Sequence, residues 1–353
     1  MVLIDDEVFE AFGLDRIPKP VRFGNGLIND TYRVRINGGD GLLQRINHHV
    51  FKDVPALMNN LKRVSQHVAL HYPSETFVSL FKTRQGADYT VCKGNYWRVQ
   101  KFIPDTHSFD SLTQAGQAYE AGRVIGRFHF LLSALDGSQI ADTIPNFHDL
   151  DFRASQFQKA LEEDIAGRAD QCLEEIEFMQ EILSEVSRVK GTNGLPQRVV
   201  HNDTKINNVL FDKNEKGICM VDLDTVMCGT ILFDTGDALR TLCNPSGEDG
   251  KLAPVGFYEE AYIQFITGYL SRTKDFLTKQ ELSLIPFSML RMSAEQCVRF
   301  LTDHLQGDLY YFQPFAGFNL RAVQVQQEFI RLIRMNRDWM EDRWAGLLAG
   351  RSS

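Results

Sequence analysis

The sequence is short of several things, and each shortage narrows what the chain does. No Lys/Arg-rich run occurs, and 38 Lys and Arg against 46 Asp and Glu leave a formal net charge of −8. That argues against nucleic acid as the main partner, although a polyanionic nucleotide needs only one local cluster of donors. The six cysteines, Cys92, Cys172, Cys219, Cys228, Cys243 and Cys297, are scattered without a C-x-x-C or a Cys/His cluster. Neither a zinc site nor a disulfide framework is indicated, and buried free thiols in a reducing compartment are expected. No segment approaches the ~18 consecutive apolar residues of a spanning helix, so no membrane partner is expected. The opening MVLIDDEVFEAFGLD is acidic with only a short apolar run. It does not read as a signal peptide, and the default location is the cytoplasm. Low-complexity tracts and internal repeats are absent as well. What remains is an ordinary globular composition over 353 residues, enough for a large core and two subdomains.

The most informative stretch runs from Val199 to Arg240. Asn208-Val209-Leu210-Phe211 and Ile218-Cys219-Met220-Val221 read as buried strands, and the polar, turn-rich 212–217 between them predicts a hairpin. His201 and Asp203 precede that hairpin, Asn208 opens its first strand, and Asp222 and Asp224 follow its second. Ile231 to Arg240 reads as a loop entering a helix. Its Asp234 suits a scaffold role, hydrogen-bonding the backbone of the preceding loop, while Asp237 and Arg240 are weaker candidates for substrate contact.

H-x-D-x-x-x-x-N, a hairpin, then a carboxylate is the order of catalytic loop and metal-binding aspartate in protein-kinase-like enzymes. The chemistry explains the order. A phosphoryl donor needs its charge neutralised by Mg²⁺, which takes oxygen ligands from carboxylates and amides. Asn208 and Asp222, at adjacent strand ends, can point at one ion. Asp203 stays off the metal and can accept the proton of an attacking hydroxyl. His201 braces the loop from behind, and Asp224 is a candidate for a second ion or for the substrate.

HNDTKINNVLFD with VDLDTVMCGTILFDTGDALR resembles the aminoglycoside phosphotransferase/choline kinase superfamily. Within it, GNGLINDTYRV, YWRVQKFI, NFHDLDFRASQFQKAL and RFLTDHLQGDLYYF resemble, in the same order, segments of the N-acetylhexosamine 1-kinases. The resemblance implies an α+β, bilobal protein-kinase-like fold. A small antiparallel-sheet lobe (residues 1–103) covers the nucleotide, and a larger, mainly helical lobe (residues 104–353) carries catalysis and the substrate site. It implies ATP and Mg²⁺ as cofactors and a small sugar as partner. The reaction would be phosphorylation of the anomeric hydroxyl of N-acetylglucosamine or N-acetylgalactosamine.

Two alternatives stand beside it. One is a kinase of the same superfamily acting on choline, ethanolamine, homoserine or an aminoglycoside. The other is an inactive nucleotide-binding module.

The remaining expectations follow the chain. Residues 21–36 read as a hairpin whose turn, Gly24-Asn25-Gly26, would let backbone approach the phosphates. Leu42 to Ile46 is a strand where kinases place a phosphate-holding lysine. Here Gln44 or Arg45 stands instead, on opposite faces of the strand. The helix over residues 54–70 has no glutamate, so the usual Lys–Glu pair is missing. Strands are predicted over 77–80, 87–91 and 96–103. The last would lead into an adenine-binding hinge around Lys101 to Ile103.

Helical spacing predicts a helix over 115–132, with Gly122 and Gly126 allowing close packing, further helices within 156–188, 258–269 and 282–305, and one amphipathic helix over 320–348. Arg299 and Asp303 share one helix face. They read either as an intrahelical ion pair or, with Tyr310, as the polar and aromatic wall of a sugar pocket.

Overall fold

A computed structural model describes residues 4–15, 21–24, 28–36, 39–189, 192, 194–247, 250–251 and 253–350. The fold is mixed α+β, with a small antiparallel sheet followed by a helical part.

The sheet comprises β1 (Asp30–Ile36), β2 (Gly39–Ile46), β3 (Leu80–Phe81), β4 (Thr90–Cys92) and β5 (Asn95–Lys101), in the order β1-β2-β5-β3 with β4 also on β5. Strand alternation divides its two faces. Leu43, Trp97 and Val99 pack with Val8, Phe9 and Phe12 of α1 (Asp6–Phe12), forming a small core of their own. The opposite face carries Gln44 and Arg98, directly opposite one another in the β2–β5 register. Arg22 bridges to Tyr32 and the Phe23 N–H donates to the Thr31 carbonyl at 2.8 Å, which continues the hairpin before β1. Gly24 has φ +78°. Asn25 and Gly26 lie outside the described residues.

Helix α2 (Val54–His71) starts where the Asp53 carboxylate accepts the Ala56 N–H at 2.9 Å, with a proline in its first turn. Its apolar face, Val54, Leu57, Leu61, Val64 and Val68, joins the large core of the helical part and not the small one. Asn60 fixes that docking, donating to the carbonyls of Ala141 (2.7 Å) and Val226 (3.2 Å).

The helical part contains α3 (Ala115–Leu131), α4 (Leu150–Glu163), α5 (Leu173–Ser187), α6 (Ile231–Leu242), α7 (Glu259–Thr273), α8 (Lys279–Leu305), α9 (Phe318–Met335) and α10 (Arg337–Leu348). Helices α3 and α7 touch backbone to backbone at the two glycines singled out in the sequence. A Cβ on Gly122 would lie 2.2 Å from the Phe265 carbonyl oxygen, and one on Gly126 would lie 2.8 Å from that of Tyr269. Short strands thread between the helices. β6 (Thr106–His107), β8 (Val209–Asp212) and β9 (Gly217–Met220) form one sheet; β7 (Arg198–Val200) and β10 (Met227–Gly229) form another.

Three local expectations need correcting. The strand expected over 77–80 is reduced to the two residues of β3. Residues 231–240 are helix from Ile231 onward, not a loop entering one. The terminal helix is two: the Asn336 side chain donates to the Leu332 carbonyl at 2.9 Å, and the chain breaks there before α10.

Candidate active site

The predicted hairpin is β8–β9. The Val221 N–H donates to the Asn208 carbonyl at 2.9 Å, which draws Asp222 alongside Asn208. Asp222 itself has φ +57°, an uncommon left-handed conformation for a residue other than glycine.

The loop from His201 to Asn208 is held from beneath by α6. The fully buried Asp234 accepts the N–H of His201 (2.8 Å) and of Asn202 (2.7 Å), and its carboxylate also meets His129 Nε2 at 2.7 Å. Burial raises its pKa, but the bonds and charge of His129, with His201, outweigh burial and hold the carboxyl below the usual carboxylate range. Asp237 accepts the Thr204 N–H at 2.9 Å and pairs with Arg240 at 2.8 Å. The scaffold expectation for Asp234 matches this geometry, and Asp237 and Arg240 are buried partners of the same scaffold.

Two histidines complete the brace. His201 Nε2 lies 2.8 Å from the Val221 carbonyl and its Nδ1 accepts the Asp203 N–H at 3.3 Å, so the proton sits on Nε2. His148 joins Glu295 of α8 (2.6 Å) to the Asn202 carbonyl (3.0 Å). The ring thus ties α8 to the backbone of the loop through both of its nitrogens. Burial pushes the Glu295 carboxyl up, but His148 first, then Arg291 and Arg299, bring it to about 2.

Asp203 is thereby set at the mouth of the loop, partly open to solvent. Its carboxylate accepts Asn208 Nδ2 at 3.0 Å and lies 3.5 Å from Lys205 Nζ. The Asn208 amide nitrogen is also held by the Asp203 carbonyl at 2.8 Å, which leaves the amide oxygen facing away from Asp203. The Asp222 side chain makes no hydrogen bond or ion pair among the described residues. Asp222 keeps an exposed surface, yet protein is dense around it, and that crowding, with the charges of Asp224 and Asp203, pushes its carboxyl up to about 7 against the pull of Arg98 and Lys205. No cage of three or more acidic, Cys or His side chains exists among the described residues. The donor set is therefore one carboxylate and one amide oxygen. That suits Mg²⁺, which commonly takes one or two protein ligands and fills its other positions with water and phosphate.

Asp224, expected at a second ion or the substrate, is instead buried in a two-pronged ion pair. Arg98 Nη1 and Nη2 reach its two oxygens at 2.5 and 2.9 Å, and Asn29 Nδ2 donates to one of them at 2.6 Å. Arg98 Nε donates to Gln44 Oε1 at 2.9 Å, and Gln44 Nε2 donates to Thr31 at 3.1 Å. Gln44 thus faces the junction between the sheet and the helical part. Arg45 is on the other face, paired with Asp30. In the expected hinge the Lys101 N–H is taken by the Ser79 carbonyl (2.8 Å) and the Ile103 carbonyl by the Thr106 hydroxyl (2.7 Å).

On α8, Arg299 stands among rings, its guanidinium carbon 5.5 Å from the centre of Phe147, 6.0 Å from Tyr310 and 5.7 Å from Tyr311. Tyr310 is 66% exposed, its ring edge-on to that of Tyr311. Asp303 pairs with no arginine among the described residues and is turned inward, onto the loop that follows the helix. It is 3% exposed and accepts the N–H groups of Leu309, Tyr310 and Tyr311 at 2.7–3.0 Å, with Asn319 Nδ2 at 2.7 Å. It shapes the loop that presents Tyr310.

Arg98, Asn29 and His148 escaped the sequence reading as site residues. For Arg98 the signal was present, a charged residue flanked by Trp97 and Val99 in the middle of a strand.

The profile of the phosphotransferase enzyme family, APH, matches residues 20–275. Among solved structures, the chain is similar to an aminoglycoside phosphotransferase from Alicyclobacillus acidocaldarius. The TM-score is 0.65 at 13% identity, covering 96% of this chain and 98% of that one. It is similar to a spectinomycin phosphotransferase in complex with ADP and spectinomycin (TM-score 0.58, 13% identity, 93% and 96% covered). A choline kinase from Cryptosporidium parvum gives a TM-score of 0.53 at 14% identity, with 98% and 95% covered. At such identities the likeness is one of fold.

Proposed function

This chain belongs to the phosphotransferase enzyme family, and from that premise we propose that it is an ATP- and Mg²⁺-dependent kinase of a small alcohol acceptor. The observation that carries the reading is the convergence of Asp203 and Asn208, on a braced loop, with Asp222 at the neighbouring strand end, its side chain without a partner among the described residues and its carboxyl raised.

Asn208 Oδ1 and Asp222 would hold Mg²⁺, which when bound supplies neutralisation of the phosphate charge. Asp203 takes the proton of the acceptor hydroxyl. Its carboxylate is pinned by Asn208 Nδ2 at 3.0 Å and lies 3.5 Å from Lys205 Nζ, which fixes its orientation before the acceptor arrives. The acceptor oxygen forms its bond to the γ-phosphorus as the bond from that phosphorus to the β–γ bridging oxygen breaks, and ADP leaves. Gly24 belongs to the loop expected over the phosphates, and the 101–103 segment offers the backbone groups not already committed to Ser79, Asp40 and Thr106.

The acceptor we assign is a neutral sugar, an N-acetylhexosamine phosphorylated at its anomeric hydroxyl. Arg299 with the rings of Phe147 and Tyr310 offers hydrogen-bond donors beside an apolar surface, which suits a sugar's polar edge and C–H face. A cationic acceptor such as choline needs converging carboxylates or an aromatic cage. Two carboxylates of the same helix, Glu295 and Asp303, are already engaged, the first by His148 and Arg291 and the second by the loop. Coupled ADP release with ATP, Mg²⁺ and a panel of free sugars and amines tests the assignment, with 1-O-methyl hexosaminides as blocked controls. Turnover with free N-acetylhexosamine that vanishes on methylation is expected. Turnover that survives methylation, or that appears only with amines, refutes the acceptor assignment.

A further inference from the structure

We propose that Arg98 is a positioning residue for phosphoryl transfer, coupling the sheet that covers the nucleotide to the loops that carry Asp222 and Asp203. It would do so in place of the lysine and glutamate that the strand and helix lack. The inference rests on the phosphotransfer reading above and deepens it.

The geometry is a continuous chain of short contacts. Arg98 is 0% exposed in the middle of β5, and Gln44 on the neighbouring strand holds its Nε. Its two terminal nitrogens clasp both oxygens of Asp224. Fork-to-fork pairing of this kind fixes orientation as well as distance. Asp224 lies two residues beyond Asp222 and one before Thr225, whose hydroxyl donates to the His201 carbonyl at 2.7 Å. Thr225 also accepts the Asn202 side chain at 2.9 Å through its own carbonyl. A displacement of Arg98 is therefore passed to the metal-side loop and to the loop of Asp203 alike.

The second arm runs to the roof. Asn29, which follows the Gly24 turn, donates to Asp224 and accepts the Asn47 N–H at 2.9 Å. One carboxylate thus sets the separation between the phosphate-covering hairpin and Asp222. The guanidinium is enclosed and fully engaged, so it acts through Asp224 and not on the phosphates. Gln44 accordingly orients Arg98 and does not replace the lysine as a charge.

The test compares Arg98→Met, Arg98→Lys and the double variant Arg98→Met/Asp224→Leu with wild type. Steady-state constants for ATP and acceptor, MgADP affinity by titration calorimetry and the melting temperature are measured on each. Removing one member of a buried ion pair strands the other, so Arg98→Met loses stability. Replacing both by apolar groups restores it, which separates folding from positioning. The double variant is expected to melt close to wild type. Its MgADP affinity and kcat should still fall about 10- to 100-fold, while the acceptor KM stays within about threefold. Arg98→Lys, which keeps the charge without the fork, should recover part of the loss.

A double variant with wild-type nucleotide affinity and kcat overturns the proposal and leaves the pair a structural one. So does a defect that falls equally on acceptor KM. If wild type binds no MgADP, the phosphotransfer reading falls and takes this one with it.

Discussion

Asp234→Asn is the sharpest probe of how the catalytic loop is held. The carboxylate is fully buried and meets three groups: the N–H of His201, the N–H of Asn202 and the His129 ring. An asparagine cannot serve both backbone donors. If its NH₂ replaces Oδ1, the Asn202 N–H faces a donor; if it replaces Oδ2, the His201 N–H does. One buried N–H is orphaned either way, at about 1–3 kcal/mol. The surviving bonds also lose their charge assistance. Together the expected cost is about 2–5 kcal/mol.

The two affected residues immediately precede Asp203, so kcat should fall as well. Equilibrium denaturation and steady-state kinetics on the same preparations give both numbers. Because the folded pKa of Asp234 lies below its unfolded value, its stabilisation is present above about pH 4. It is lost as pH falls through the folded pKa. The gap between variant and wild type should therefore shrink in acid. A variant within about 0.5 kcal/mol of wild type, with unchanged kcat, would refute the brace.

Other outcomes follow from the same geometry. In the proposed role Asp222 would hold Mg²⁺ only when ionised, so apparent Mg²⁺ affinity should rise with pH through about 7, read as Mg²⁺ dependence of nucleotide binding. Affinity that is flat from pH 6 to pH 8 would contradict its raised pKa. Asp303→Ala removes four hydrogen bonds from the loop carrying Tyr310 and should raise acceptor KM more than ATP KM, with a loss of stability in denaturation. An unchanged acceptor KM would detach that loop from the substrate. Gly122→Ala must push α3 off α7 at the Phe265 carbonyl, so a melting temperature equal to wild type would contradict the close approach.

What could be read in the sequence was what depends on neighbours along the chain. The β8–β9 hairpin, the helix with Gly122 and Gly126, and the ordering of Asp203, Asn208 and Asp222 all rest on local spacing, and the fold class came with the family resemblance that ordering carries. Misreadings came where a distant partner decides. Asp224 and Arg98 are 126 residues apart, so nothing local marks the carboxylate as spoken for. Asp303 sits one helical turn from Arg299 and invites an ion pair. The loop at 309–311 folds back onto it with three N–H groups that the sequence does not display as a set. The choice between Gln44 and Arg45 was open until the register placed Arg98 opposite one and Asp30 opposite the other.

The most direct test of the account is the turnover of Asp203→Asn at saturating ATP and Mg²⁺ with free N-acetylhexosamine, measured by ADP release beside wild type. The account predicts a fall in kcat of about 10²-fold or more, with MgADP affinity little changed. Near-normal turnover would contradict it, because the one carboxylate held at the mouth of the loop would then have no part in moving the proton.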